Sequence, residues 1–331
     1  MVSCAIQHGG GALEHDTSYP PRRDGLAYLT EGGIETEVLY RWGFALPEFA
    51  MFPLLDDPEA VEVLRGMWRR YLAVAERHGM AALMGGLDYR ASPDWGRKLG
   101  YSAQGLAEAQ ARALEFLRDV SAPWRDRLPA IVIAGTIGPR GDAYQLNRTI
   151  TAEEAEDYHS VQLGTLRSCG AEMACAMTFN NIPEAVGVIR AAAAIGIPVS
   201  MSLTLDGSSR LRSGPSLREA VEAIDAETGG SAAWFAVNCS HPAEFEPALD
   251  GGGWEARLRN IRPNASRMEK IALCKLGHLE EGDPQELGRQ MGELARRWPR
   301  MDIWGGCCGT DHVHLDEIAR NVRRARQPAE A

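Results

Sequence analysis

Short apolar runs alternate with stretches of helical periodicity along most of the chain. AYLTEGG (27–33) precedes the amphipathic PEAVEVLRGMWRRYLAVAERHG (58–79), and MAALMGG (80–86) precedes SAQGLAEAQARALEFLRDV (102–120). The run AIVIAGTIG (130–138) leads through a loop to TAEEAEDYHSVQLGTLRSCG (151–170), where Thr151 and Glu154 have capping-box spacing. AEMACAMTF (171–179) is followed by the helical 182–196, PVSMSLT (198–204) by 216–228, and WFAVNC (234–239) by the short RNIRP (259–263). The helical stretch 283–298, with Asp283 as N-cap and Pro284 at its first position, runs into DIWGGCC (302–308) and a last helix over 314–326. About eight strand-like runs, each followed by a helix or a long loop, predict a parallel sheet with crossover helices. The count and span favour a closed (β/α)8 barrel in one domain over residues 25–331. An open doubly wound sheet is the alternative, weakened by the lack of a Gly-rich phosphate fingerprint after the first run.

Residues 1–24 are rich in Gly, His, Pro and polar residues, show no periodicity, and read as a loose N-terminal arm. They do not have the layout of a secretory signal. The 331 residues are 45% hydrophobic and 24% charged, the balance of a globular protein. Lys+Arg 35 against Asp+Glu 45 gives a net charge of −10, which argues against a sequence-independent grip on nucleic acid or an anionic membrane. The longest apolar stretch, 191–199, is too short to span a bilayer. Seven cysteines, at 4, 169, 175, 239, 274, 307 and 308, form an odd set that suits a reducing, cytoplasmic location.

The sharpest chemical signal is GGCCGT (305–310). Two thiols on one Gly-flanked turn suit a zinc ion, and Cys239 in VNCSHP ends another strand-like run. In a barrel, both strand ends lie on the C-terminal rim, where active sites are built. Cys239, Cys307 and Cys308 therefore form a candidate three-thiolate Zn²⁺ site, one ion per chain, with an open fourth position. A packing role for Cys239 and a redox role for the adjacent pair are the competing readings, although no C-x-x-C motif is present. The other four cysteines read as arm, helix-end, strand and connector residues. His241 reads as a loop histidine rather than a fourth ligand, and His312 and His314 as capping or surface groups at the start of the last helix. Gly32 and Gly33 would let a substrate approach the backbone closely, and Asn238 would orient its neighbouring ligand.

VNCSHP and GGCCGT together resemble the zinc-dependent homocysteine S-methyltransferases. TEGGIETEV (30–38) resembles that family's DGGxGTEL, GTIGPRG (135–141) its GSIGPYG, DYRAS (88–92) its TYQAS, and RPNAS (262–266) its YPNSG. The resemblance spans roughly 27–325 and implies the same barrel fold. It also implies that Cys239, Cys307 and Cys308 hold Zn²⁺, and that an acceptor thiol takes the fourth position and attacks the methyl group of a small cationic donor. The implied acceptor is homocysteine, giving methionine. The implied donor is S-methylmethionine, ahead of S-adenosylmethionine and betaine.

Asp88, Thr136 and Asn264 fall in the family-like rim motifs and are candidate substrate contacts. Glu31 stands where the family has an amino-binding Asp. Met177 replaces the second amino-binding carboxylate, in MTFNNIPEA against ETIPNxxEA, and Glu35 replaces a Gly. Asn180 or Asn181 could supply oxygen atoms in place of the missing carboxylate. Two further readings stay open: the same chemistry on another thiol or selenol, and a non-catalytic zinc or ligand-binding barrel.

Overall fold

The computed structural model describes residues 19–327. Its strands are β1 Tyr28–Leu29, β2 Ala81–Met84, β3 Ile131–Ile137, β4 Met173–Phe179, β5 Val199–Leu203, β6 Trp234–Ser240, β7 Leu258–Pro263 and β8 Ile303–Trp304. The helices are α1 Ile34–Tyr40, α2 Pro58–Arg77, α3 Pro93–Lys98, α4 Ala103–Ser121, α5 Ala152–Ser168, α6 Ile182–Ile195, α7 Leu217–Thr228, α8 Pro242–Phe245, α9 Lys270–Cys274, α10 Pro284–Arg297 and α11 His312–Arg326. The strands pair in chain order, all parallel, and close where Tyr28 of β1 lies beside Ala81 of β2 on one side and Ile303 of β8 on the other. This is the single-domain (β/α)8 barrel that the alternation predicts. No helix among the described residues is long and apolar enough to cross a membrane.

The two-residue period of the strands sorts the core into two layers. Ala81, Leu83, Val132, Ala134, Met173, Cys175 and Trp234 pack together along the barrel axis. Their strand neighbours Ala82, Met84, Ile133, Ala174, Phe235 and Val237 pack outward against the helices. Because both faces are covered, the strands read as continuous apolar runs rather than alternating ones. The helix starts follow the sequence signals: the Thr151–Glu154 capping box opens α5, and Asp283 accepts from the amides of Gln285 and Glu286 at the head of α10.

The structure departs from the expected elements where chain ends and turns intervene. Only Tyr28–Leu29 of the run 27–33 and Ile303–Trp304 of 302–308 join the sheet, because glycines turn the chain out of the ladder immediately beyond them. Helix α1 escapes a periodicity reading because one of its buried positions is Glu37, held by Arg70 at 2.8 Å and Tyr71 at 2.8 Å. Of the arm 1–24, residues 1–18, with Cys4, lie outside the described residues. Its last part is pinned across the N-terminal end of the barrel. Trp234 Nε1 donates to the Tyr19 carbonyl at 3.1 Å, Arg259 to Pro20 at 2.8 Å, and the Tyr28 hydroxyl to Pro21 at 2.9 Å.

Candidate active site and metal centre

A cavity of about 370 Å³ opens over the C-terminal ends of the strands. Its floor is made by residues that leave the strand pattern. Cys239 has φ 50°, and the β6–β7 register shifts beside it, so consecutive residues Asn238 and Cys239 both reach the cavity. Thr178 has φ 68° beside a register shift between β4 and β5, and presents Met177 and Thr178 together. Left-handed backbone is costly for a β-branched residue such as Thr178 and persists where the surroundings enforce it. Here Asn238 does so. Its Oδ1 accepts from the Thr178 amide at 2.9 Å, and its Nδ2 donates to the Thr178 hydroxyl at 2.8 Å and lies 3.4 Å from Cys239 Sγ.

The glycine turn after β8 brings Cys307 and Cys308 to the same place. Cys239 and Cys307 are joined as a disulfide, with Cα atoms 5.3 Å apart. The three sulfurs lie within 4.8 Å of one another. Tetrahedral thiolates at about 2.3 Å from zinc sit roughly 3.8 Å apart, so the set, once reduced, spans one coordination shell. The donors fit the metal: three soft sulfurs, an amide N–H beside one of them, and a half-buried Cys308 leaving a side open to the cavity. The turn is clamped to the first strand's glycines. A Cβ on Gly33 would lie 2.3 Å from the Cys307 carbonyl oxygen, and one on Gly32 2.7 Å from that of Thr310.

The charged groups are distributed differently from the expectation. Glu31 is buried and already paired: Oε1 accepts from Arg262 Nη1 at 2.6 Å and Oε2 from the Gly85 amide at 3.3 Å. Arg262 also donates to the Gly306 carbonyl at 3.0 Å and contacts Met177 Sδ at 3.4 Å. Met177 and Glu31 thus form one wall with the Arg262 guanidinium between them. Glu35, in the first turn of α1, lines the cavity, and no ion pair or hydrogen bond joins its side chain to another described side chain. Desolvation pushes it up to about 7, against its own amide and the nearby Arg262 and Arg90, which favour the charged form.

The other expected residues divide between lining and support. Gly32, Gly33, Thr136, Asn238 and Asn264 line the cavity, and Asn264 Oδ1 is buried without a hydrogen-bond partner. Asp88 is buried behind that lining. Its Oδ1 accepts from the Thr136 amide at 2.8 Å, and burial pushes its carboxyl up to about 7. Asn180 is spent on the Ala143 carbonyl at 2.9 Å, and Asn181 caps α6, so neither replaces a carboxylate at the floor. His241 caps α8 through Nδ1, and burial and Arg267 hold it down at about 4. His314 is buried in a capping box with Asp311. Cys175 is an axial core thiol that burial pushes up to about 12.

Sequence reasoning did not single out Tyr89, Thr178, Arg90 or Arg262. Tyr89 hydrogen-bonds with Thr178 and, with Tyr40, Phe49 and Tyr144, gives the cavity aromatic walls. Arg262 was legible only as the first residue of RPNAS, and nothing local announces a guanidinium reaching past the end of β8 to Glu31.

Comparison with known proteins agrees with this architecture. Residues 28–322 match the family model of homocysteine S-methyltransferases. The homocysteine S-methyltransferase YbgG of Bacillus subtilis is 24% identical over 251 residues, covering 68% of this chain and 75% of that protein. Among solved structures, the homocysteine methyltransferase MmuM from Escherichia coli superimposes in its metallated form with a TM-score of 0.69 at 20% identity, covering 90% of this chain and 96% of that one. Its oxidized form gives 0.67 at 20% identity, covering 89% and 95%. With a barrel that closes over the expected strands and a family model spanning nearly all of it, the chain belongs to the homocysteine S-methyltransferase family and is a methyltransferase.

Proposed function

We propose that the chain methylates the thiol of homocysteine, giving methionine, at a Zn²⁺ ion held by Cys239, Cys307 and Cys308. The observation that carries this reading is the convergence of the three sulfurs, from the ends of β6 and β8, at the floor of the cavity over the C-terminal ends of the strands. When bound, Zn²⁺ lowers the pKa of a thiol placed in its fourth position and leaves it strongly nucleophilic. The chain's own residues supply the rest. Asn238 fixes the backbone at Thr178 and aims an N–H at the Cys239 sulfur, which tempers the charge of a crowded thiolate set. Gly32 and Gly33 hold the Cys307 turn against α1, and their bare backbone leaves room for the acceptor beside the sulfurs.

The donor proposed is a small cation, S-methylmethionine before S-adenosylmethionine or betaine. The aromatic walls of Tyr40, Phe49, Tyr89 and Tyr144 suit a sulfonium or quaternary ammonium, whose positive charge rests well against ring faces. As the methyl group leaves, the donor loses that charge, and a water-poor cavity favours the step. Thiolate ligands must stay reduced, which suits a cytoplasmic location. Met177 and the Glu31–Arg262 pair favour one competing acceptor, a thiol or selenol without an amino group.

The test is metal content and thiol binding on the reduced protein. One Zn²⁺ per chain is expected, with loss of metal in Cys239→Ser, Cys307→Ser and Cys308→Ser. The Co²⁺-substituted protein should change its thiolate absorption when homocysteine is added. Full metal occupancy in the serine variants would refute the ligand assignment, and a metal site indifferent to thiols would favour a non-catalytic barrel.

A further inference from the structure

The cavity floor contains a carboxylate with nothing to do. Glu31 is neutralised by Arg262 at 2.6 Å, and its second oxygen is taken by the Gly85 amide. Met177, across the same guanidinium, offers only a thioether. An ammonium group therefore finds no open carboxylate on that wall. Glu35 is different: it lines the cavity from the first turn of α1 and makes no ion pair with any described residue. Its charged state faces Arg262 and Arg90 as favourable neighbours and Glu31 as an unfavourable one.

Asn264 adds a second, independent observation. Its Oδ1 is a buried acceptor without a partner, on a residue that lines the same cavity. Buried polar atoms are almost always satisfied, so an open acceptor in the same cavity as an open carboxylate calls for a ligand that donates hydrogen bonds and carries positive charge. A primary ammonium does both. A sulfonium or quaternary ammonium has no N–H to give, so these two groups do not match the transferable end of a methyl donor.

We propose that Glu35 is the specificity-determining carboxylate of the acceptor site, reading the ammonium group of an amino-thiol with Asn264 as its neutral partner. This rests on the proposed thiol-binding metal centre and names which feature of the acceptor the protein selects. Glu35 thereby takes over a task that Glu31 and Met177 do not perform. The acceptor's thiol is fixed at the cysteines and its amino group is drawn toward α1 rather than toward β4.

The experiment is calorimetric binding to the reduced, zinc-loaded full chain, without methyl donor, of L-homocysteine and of 4-mercaptobutyrate, which lacks the amino group. Wild-type protein should prefer homocysteine by at least about tenfold. Glu35→Gln should lose most of that preference through weaker homocysteine binding, while 4-mercaptobutyrate binds as before and zinc stoichiometry is unchanged. Glu35→Asp, which keeps the charge on a shorter arm, should restore part of the preference. An undiminished preference in Glu35→Gln, or an equal weakening of both thiols, would overturn the assignment while leaving the metal-centred reading intact. Failure of both thiols to bind wild-type protein would remove that reading and this inference with it.

Discussion

Gly33→Ala probes the link between the first strand and the metal centre. Gly33 has φ −81°, open to any residue, so the substitution tests proximity rather than backbone strain. The new Cβ would sit 2.3 Å from the Cys307 carbonyl oxygen, 2.9 Å from its carbon and 2.8 Å from Thr36 Oγ1. The carbonyl must retreat by about 0.7 Å to reach even a tight contact and by about 1.1 Å to reach an ordinary one, several times the roughly 0.2 Å tolerance of a metal–ligand distance. It is not free to do so, because it accepts from the Thr310 amide at 3.0 Å and the Thr310 hydroxyl at 2.7 Å. Overpacking costs typically about 1–3 kcal/mol, and weakening two hydrogen bonds adds about 1 kcal/mol. The expected result is about 2–4 kcal/mol of lost stability by urea unfolding of the reduced, metal-free protein. Chelator competition should show zinc affinity lowered by at least tenfold. Gly164→Ala is the control: it lies within α5 with open space around its Cβ, and should be neutral or stabilising by up to about 1 kcal/mol. Wild-type stability and zinc affinity in Gly33→Ala would refute the idea that this contact sets the position of Cys307.

Further outcomes follow from the same geometry. Asn238→Ala removes both bonds that enforce the backbone at Thr178, and should cost about 2–3 kcal/mol in thermal or urea unfolding and weaken zinc binding. Arg262→Met leaves the Glu31 carboxylate buried and unpaired, with a loss of about 3–5 kcal/mol. The double variant Arg262→Met with Glu31→Gln should recover much of that loss, and failure to recover would show that the pair matters for more than charge. Two buried carboxyls should make stability fall as pH rises from about 4 to about 7, partly offset by His241, whose lowered value contributes a rise over most of that window. Burial raises Asp88 and Glu35 to about 7 in the folded protein, so across that window the folded state keeps protons that the unfolded chain releases. Asp88→Asn should flatten this decline in denaturation midpoints measured across the window; an unchanged slope would count against a protonated Asp88. Asp311 slopes the other way at lower pH. Burial opposes its charge, but His314 and Arg41 prevail and hold its carboxyl well below the usual range, so its contribution is lost only on strong acidification.

Local chemistry was enough to mark the alternating strands and helices and to favour a closed barrel over an open sheet; the closure itself is seen in the β1–β8 pairing. Apolar runs at regular intervals, the Thr151–Glu154 capping box and the Asp283–Pro284 start describe elements stabilised by their own residues, and parallel pairing in chain order follows from the crossover helices. The sequence also marked the cysteines, because VNCSHP and GGCCGT announce themselves by composition. It did not reveal how Asn238 and Cys239 both face inward, since that depends on left-handed backbone at Cys239 and a register shift between β6 and β7. Nor did it reveal that Arg262 occupies Glu31 across 231 positions of chain, leaving Glu35 as the open carboxylate. An ion pair of that kind has no local periodicity. It exists only when barrel closure sets β1 and β7 on either side of β8 at the rim of one cavity, and burial then makes the choice of partner energetically decisive.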